Sequence, residues 1–99
     1  MSISLCVLLW ARPGEEQGLV AYEDRVLELV GEHGGRVLQR ARTDGSGGAP
    51  LEIQVFTFAS QDALDAYMND ERRVALADER DRVVARTELM RVTLSDESA

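Results

Sequence analysis

Residues 3–11, ISLCVLLWA, are apolar on both of their alternating faces. Side chains on a strand point alternately to its two sides. Ile3, Leu5, Val7 and Leu9 therefore share one face, and Ser4, Cys6, Leu8 and Trp10 share the other. A strand apolar on both sides is a strand covered on both sides. An open sheet with helices on one side alone leaves one of these faces in water. This strand therefore asks for a second cover.

The rest of the chain supplies only the first cover. Pro13-Gly14 ends the strand. Glu15, Glu16 and Gln17 open a helix with acids at its positive dipole end. Leu19, Tyr22, Val26, Leu29, Val30 and His33 then recur at the spacing of one helical face. Gly34 and Gly35 follow at once, and glycine suits a left-handed helix end because it has no Cβ to clash. RVLQRAR at 36–42 reads as a second strand and TDGSGGAP as a hairpin loop. LEIQVFTF at 51–58 reads as a third strand, with Leu51, Ile53 and Val55 opposite Glu52, Gln54, Phe56 and Phe58.

Ser60 is placed to cap a second helix running through Ala63, Leu64, Tyr67 and Met68. The apolar face fails at Asn69-Asp70, which predicts a break there and a further helical segment over about 71–84. ARTELMRVTL at 85–94 is the last strand. The order predicts an α+β, ferredoxin-like βαββαβ chain, a four-stranded antiparallel sheet with two helices on one face. The other face of the first strand is then free for a second copy of the sheet. Residues 1–94 are expected to form the single domain and 95–99 a disordered tail.

Composition narrows the partners. Ninety-nine residues bury a modest core, and pairing with a second subunit enlarges it. A net charge of −7 argues against sequence-blind binding to nucleic acid or to an anionic membrane. All eleven basic residues are Arg, which reads as the coding bias of a GC-rich, bacterial genome. Cys6 is alone, so an internal disulfide and a cysteine-based zinc site are excluded. The opening MSISLCVLLWARPG has no charged leader and only about half a membrane span of apolar residues, so a cytoplasmic protein is expected. No nucleophilic triad, metal-ligand cluster, phosphate loop or dinucleotide fingerprint is present, so no metal and no cofactor is implied.

The element order, with ARPG after the first strand, Tyr22 in the first helix, GGRVLQR into the second strand and FTFAS before ALDAYMND, resembles the dimeric α/β-barrel superfamily. The resemblance spans about residues 2–94, and the likeness is nearest to small bacterial proteins of unassigned function and to antibiotic biosynthesis monooxygenase-like proteins. It implies a homodimer in which two sheets pack face to face, with any ligand pocket between each sheet and its own helices. It also implies a range of activities, among them cofactor-free oxygenases, haem-degrading enzymes, isomerases and cyclases. Val7 and Phe58 stand where the similar oxygenases tend to carry Asn and Trp, and the second-helix region has no His to ligate haem.

Tyr22 and Tyr67 lie on helix faces turned to the sheet, where a phenol either serves a ligand or fills core. Gln54 shares a strand face with Phe56 and Phe58, and an amide among aromatics can orient a flat ligand. These five are the candidate ligand-binding residues. Glu52 has the same parity but lies nearer the loop, so it is expected in solvent. Cys6, Leu8, Trp10, Ile53 and Val55 form the candidate dimer interface, where Trp is a common anchor. Arg12 shares the parity of Trp10. His33 reads as a helix-end residue, since anion-binding glycines precede a helix rather than follow it. Arg40, Arg42 and Arg80 can clamp a carboxylate, but with eighteen acids in the chain surface pairing is the expectation. Two functions compete. One is cofactor-free chemistry of oxygenase, isomerase or cyclase type on a flat hydrophobic small molecule, aromatic or polyketide-like. The other is a non-catalytic ligand-binding or structural homodimer.

Overall fold

A computed structural model describes residues 2–95, so the expected tail lies outside the described residues apart from Ser95. The chain runs β1 (Ile3–Ala11), α1 (Glu16–Glu28), β2 (Gly35–Arg42), β3 (Glu52–Phe58), α2 (Gln61–Met68), α3 (Glu71–Val74), α4 (Ala77–Val83) and β4 (Val84–Val92). The four strands form one sheet in the order β2-β3-β1-β4, and every neighbouring pair is antiparallel. This is the ferredoxin-like βαββαβ fold, with its second helical arm in three pieces.

The two faces of β1 part as its alternation requires. Leu5, Val7 and Leu9 are buried in one cluster with Leu19, Tyr22, Val26 and Val30 of the first helical arm and Leu64 and Tyr67 of α2. Cys6, Leu8 and Trp10 are part-exposed. Across the sheet Cys6 lies opposite Val55 and Met90, and Leu8 opposite Ile53.

Ser60 caps α2, its side chain accepting from the Ala63 amide at 3.1 Å. The break at Asn69-Asp70 is real, and Asp70 accepts from the Arg72 amide at 2.8 Å to start α3. The segment expected over 71–84 is divided again at Ala75-Leu76, where Leu76 leaves helical geometry and packs on the core. Val84 already belongs to β4. The helical face read through His33 stops short as well. Regular α-helix ends at Glu28, and a 3-10 turn over Gly31–His33 follows. His33 leaves the helix stripe and meets Asp70 Oδ2 at 2.7 Å, tying this turn to the start of α3. Arg72 first, and His33 second, hold the Asp70 carboxyl well below the usual carboxylate range.

The two glycines after His33 serve different purposes. Gly34 has φ +75° and turns the chain. Gly35 starts β2 where a Cβ would stand 2.7 Å from Phe58 Cε1 and 2.8 Å from Val30 Cγ1.

A bulge in β2 changes which side chains meet the helices. Val37 pairs with Phe56, but the next paired residue is Gln39, opposite Val55, so Leu38 is one residue extra. Strict alternation would turn Arg40 and Arg42 away from the face of Val37. After the bulge they lie opposite Gln54 and Glu52 and share their face. Glu52, expected in solvent, is 0% exposed. Arg40 Nε bonds its Oε1, and Arg42 Nε reaches its Oε2 at 3.4 Å. Arg40 also donates to Asp24 Oδ1 at 2.6 Å and to the Val20 carbonyl at 3.3 Å, joining β2 to α1.

Two pairs of substitutions check this arrangement by urea denaturation. Gly34→Ala should cost about 1–2 kcal/mol for the left-handed backbone. Gly35→Ala should cost about 1–3 kcal/mol by overpacking against Phe58, and a neutral result there contradicts the close approach. Arg40→Met should cost about 3–5 kcal/mol, because it strands a buried carboxylate. Arg42→Met, at a half-exposed position, should cost under about 1 kcal/mol.

Candidate functional site

The inward face of β3 changes from charge to aromatic along its length, through Glu52, Gln54, Phe56 and Phe58, all buried. Gln54 Nε2 donates to Glu52 Oε1 at 3.0 Å and to Glu23 Oε1 at 2.8 Å. One amide thus spans two carboxyls. Glu52 already has its guanidinium partners. Glu23 has none among the described residues, and its hydrogen bond there is to Gln54 alone. It stands on α1 in the buried stripe of Leu19, Tyr22 and Val26, 6% exposed.

Beside Glu23 a cavity of about 170 Å³ lies between sheet and helices. Its apolar wall is Val7, Leu9, Val26, Phe56, Met68 and Leu89. Its polar wall is Glu23, Gln54, Tyr67, Arg73, Arg80 and Thr87. Leu89 is 45% exposed and marks the opening to solvent. Of the five residues singled out in the sequence, the structure brings Gln54, Phe56 and Tyr67 to this cavity. Tyr22 and Phe58 are buried but are not part of its wall. The Phe58 ring packs on Tyr67 at 5.4 Å and edge-on to Phe56 at 5.8 Å, so it fills core instead.

Burial pushes the Glu23 carboxyl above its ordinary value. The Gln54 hydrogen bond works the other way, the Glu52 charge adds to the rise, and Arg73 and Arg40 oppose it from further off. Burial likewise raises the Tyr67 phenol, against the Arg73 guanidinium, and raises the Tyr22 phenol. Arg73 lies 5.2 Å from the centre of the Tyr67 ring and donates through Nη1 to the Met68 carbonyl at 3.3 Å. Its Nε is buried and has no hydrogen-bond partner among the described residues. Arg80 donates to Thr87 Oγ1 at 3.0 Å. This corrects the expectation of a surface ion pair for Arg80, because the short helix α4 carries it over the sheet. The arrangement can accept and return a proton at Glu23 and can bond an oxygen at the guanidinium side. Among the described residues no group of three or more His, Cys, Asp or Glu could hold a metal ion.

Glu23 and Arg73 were not singled out from the sequence. For Glu23 a signal exists: an acid at the core-facing spacing of an apolar stripe. For Arg73 none does, since its helix is a single short turn.

The opposite face of the sheet has an apolar centre, with Arg36, Gln39, Arg86 and Glu88 around it. Cys6, Leu8, Trp10, Ile53 and Val55 all lie on it, with Met90 beside them at 41% exposure. Trp10 donates to the Gly48 carbonyl of the β2–β3 loop at 2.9 Å, and Arg86 stacks 4.5 Å over its ring. Arg12, past the end of β1, donates to the Asp81 carbonyl at 2.7 Å. A wider hollow of about 690 Å³ lies by Arg36, Leu38, Gln39 and Val55. Among the described residues Arg36 is the one titratable side chain of the hollow's wall, which continues through Thr93, Leu94 and Ser95.

No protein-family model matches the chain, and nothing among curated proteins matches it. Solved structures do. A protein from Pseudomonas aeruginosa superposes with a TM-score of 0.74 at 15% identity, covering 94% of this chain and 93% of its own. A provisionally assigned antibiotic biosynthesis monooxygenase from Bacteroides thetaiotaomicron gives 0.76 at 12% identity, covering 95% and 90%. A dimeric protein of unknown function and ferredoxin-like fold from Bacteroides fragilis gives 0.72 at 14% identity, covering 94% and 96%. At these identities the likeness is one of backbone, and it places the chain among ferredoxin-like α+β folds.

Proposed function

We propose that this chain works in the cytoplasm as a homodimer, its two sheets meeting on the face of Trp10. In each subunit the cavity beside Glu23 takes a small, flat, apolar molecule. Glu23 moves a proton on that molecule, in chemistry of isomerase or cyclase type. One observation carries the reading: a buried carboxyl with no cation of its own, held by Gln54 at the wall of an apolar cavity. Desolvation that raises a carboxyl brings it closer to the range where a general base works at neutral pH. A proton taken from carbon beside a carbonyl and returned elsewhere leaves no net oxidant or reductant to supply. Oxygenase chemistry has less support, because Val7 and Phe58 stand where the similar oxygenases carry polar and indole groups.

The dimer is supported by the apolar centre of the sheet's outer face and by the dimeric neighbour from Bacteroides fragilis. No helix among the described residues is long and apolar enough to cross a membrane.

Sedimentation at micromolar concentration should give a dimer, and a stable monomer of 11.0 kDa overturns that part. Trp10→Ala should weaken the dimer by about tenfold or more.

Glu23→Gln keeps an acceptor for Gln54 and removes the buried charge. Below pH 4.5 both folded and unfolded carboxyls are protonated and the two proteins should match in stability. As pH rises above that value the unfolded carboxyl ionises first, so the parent should lose stability relative to the variant. A tenfold difference in proton affinity is worth about 1.4 kcal/mol. A difference that does not change with pH contradicts a raised carboxyl. Ligand entry is read on the methyl resonances of Met68 and Leu89 as flat aromatic compounds are added. If none shifts them, the cavity reading falls.

A further inference from the structure

Arg73 and Arg80 have no carboxylate partner among the described residues. Arg25, Arg40, Arg42, Arg72 and Arg86 have one. Arg12, Arg36, Arg82 and Arg91 lack one as well but are exposed to solvent, whereas Arg73 and Arg80 are part-buried at the cavity. In a chain with eighteen acids and eleven arginines, leaving two guanidiniums unneutralised at one apolar cavity needs a reason. The protein contacts of these two are neutral: the Met68 carbonyl and the Tyr67 phenol for Arg73, and the Thr87 hydroxyl for Arg80. Arg73 also leaves its Nε buried without a partner. A buried donor that bonds nothing carries a desolvation cost, and ordinary folded chains rarely leave one.

We propose that the cavity selects an organic anion, a small flat molecule whose carboxylate is bound by Arg73 and Arg80. The inference rests on the cavity reading above and adds the chemical class of the ligand. Nε and Nη2 form the edge of a guanidinium that a carboxylate takes with two parallel bonds. Arg73 Nη1 donates to the Met68 carbonyl and Nε has no partner, so an incoming carboxylate takes the Nε edge, in competition with the Tyr67 phenol. Nε is covered in this conformation, so binding includes a tilt of the guanidinium against the Tyr67 ring. Arg80 completes the charge from α4. The ligand's apolar body then lies along Val7, Leu9 and Phe56, with Glu23 and Gln54 on the α1 side. Two cations against one carboxyl leave the wall positive in a molecule whose net charge is −7, so the anion is drawn by local charge alone.

Benzoate and benzyl alcohol are the probes: both flat, similar in size, one charged. Titrations are read on the cavity methyls and on the Arg73 Nε–H resonance. Benzoate should bind about tenfold or more tightly than the alcohol, and should move the Nε–H signal. Arg73→Leu should abolish the preference, bringing the ratio of the two affinities to within about twofold of one. Arg80→Gln, on another helix, should reduce the preference and serves if Arg73→Leu fails to fold. Equal affinity for the two probes overturns the anion while leaving the cavity reading intact. Benzoate binding that neither moves the Nε–H signal nor responds to either variant also overturns it. No shift of the cavity methyls by either probe overturns both readings.

Discussion

Glu52 is a carboxylate without water, and the helix-side face of the sheet is organised around that fact. A charge at 0% exposure persists only when it is paired and hydrogen-bonded. The pair comes from Arg40, which faces inward because β2 carries one extra residue at Leu38. From Arg40 the contacts spread to Asp24 and the Val20 carbonyl, so the same side chain sets α1 against the sheet. Glu52 also fixes Gln54: with carboxyl oxygens on both sides, the amide must present its nitrogen to them. Glu23 is the far end of this series and the one member that bears its desolvation without a cation.

The architecture was legible because strand parity is short-range and strict. The alternation over residues 3–11 separated the buried face of Leu5, Val7 and Leu9 from the part-exposed face of Cys6, Leu8 and Trp10, and residues 52–58 assigned Glu52, Gln54, Phe56 and Phe58 to a common face. Ser60 and the failure at Asn69-Asp70 located a helix start and a break. The site was less legible, for a physical reason. A bulge shifts parity by one residue and leaves no mark in composition, so Arg40 and Arg42 read as surface residues. With the arginines placed outside, a buried Glu52 had nothing to pair with, and solvent was the reasonable reading. Tyr22 and Phe58 have the parity and period of cavity residues, and parity alone does not tell a ring that lines a space from one that fills it. Here both fill core: Phe58 is seated between Tyr67, Phe56 and the bare backbone of Gly35, and Tyr22 is buried in the same cluster.

The cavity follows from how the second helical arm is broken. One long helix would lay a continuous stripe over β1 and β4. Three short ones cover them unevenly, and the hollow lies where Met68, Arg73 and Arg80 face Val7, Leu9, Thr87 and Leu89. The aromatic end of β3 is closed by ring packing and its charged end by the Arg40–Glu52 pair. The space between is walled by an amide and a carboxyl on one side and by guanidiniums on the other.

The sheet therefore has unlike faces. The inner face spends its polar residues on a hydrogen-bonded series that ends at the cavity. The outer face is apolar at Cys6, Leu8, Ile53, Val55 and Met90 and polar around them, where Arg86 stacks on Trp10 and pairs with Glu88, Trp10 donates to the Gly48 carbonyl, and Arg36 and Gln39 lie along β2. Joining two copies on that outer face would bury it without touching the cavity, since the cavity's inner wall is made by Val7 and Leu9, of opposite parity to Cys6, Leu8 and Trp10. The proposed assembly and the proposed ligand site would thus be separable by strand parity. A change on the outer face of β1 reaches the cavity only through the shared backbone of a nine-residue strand.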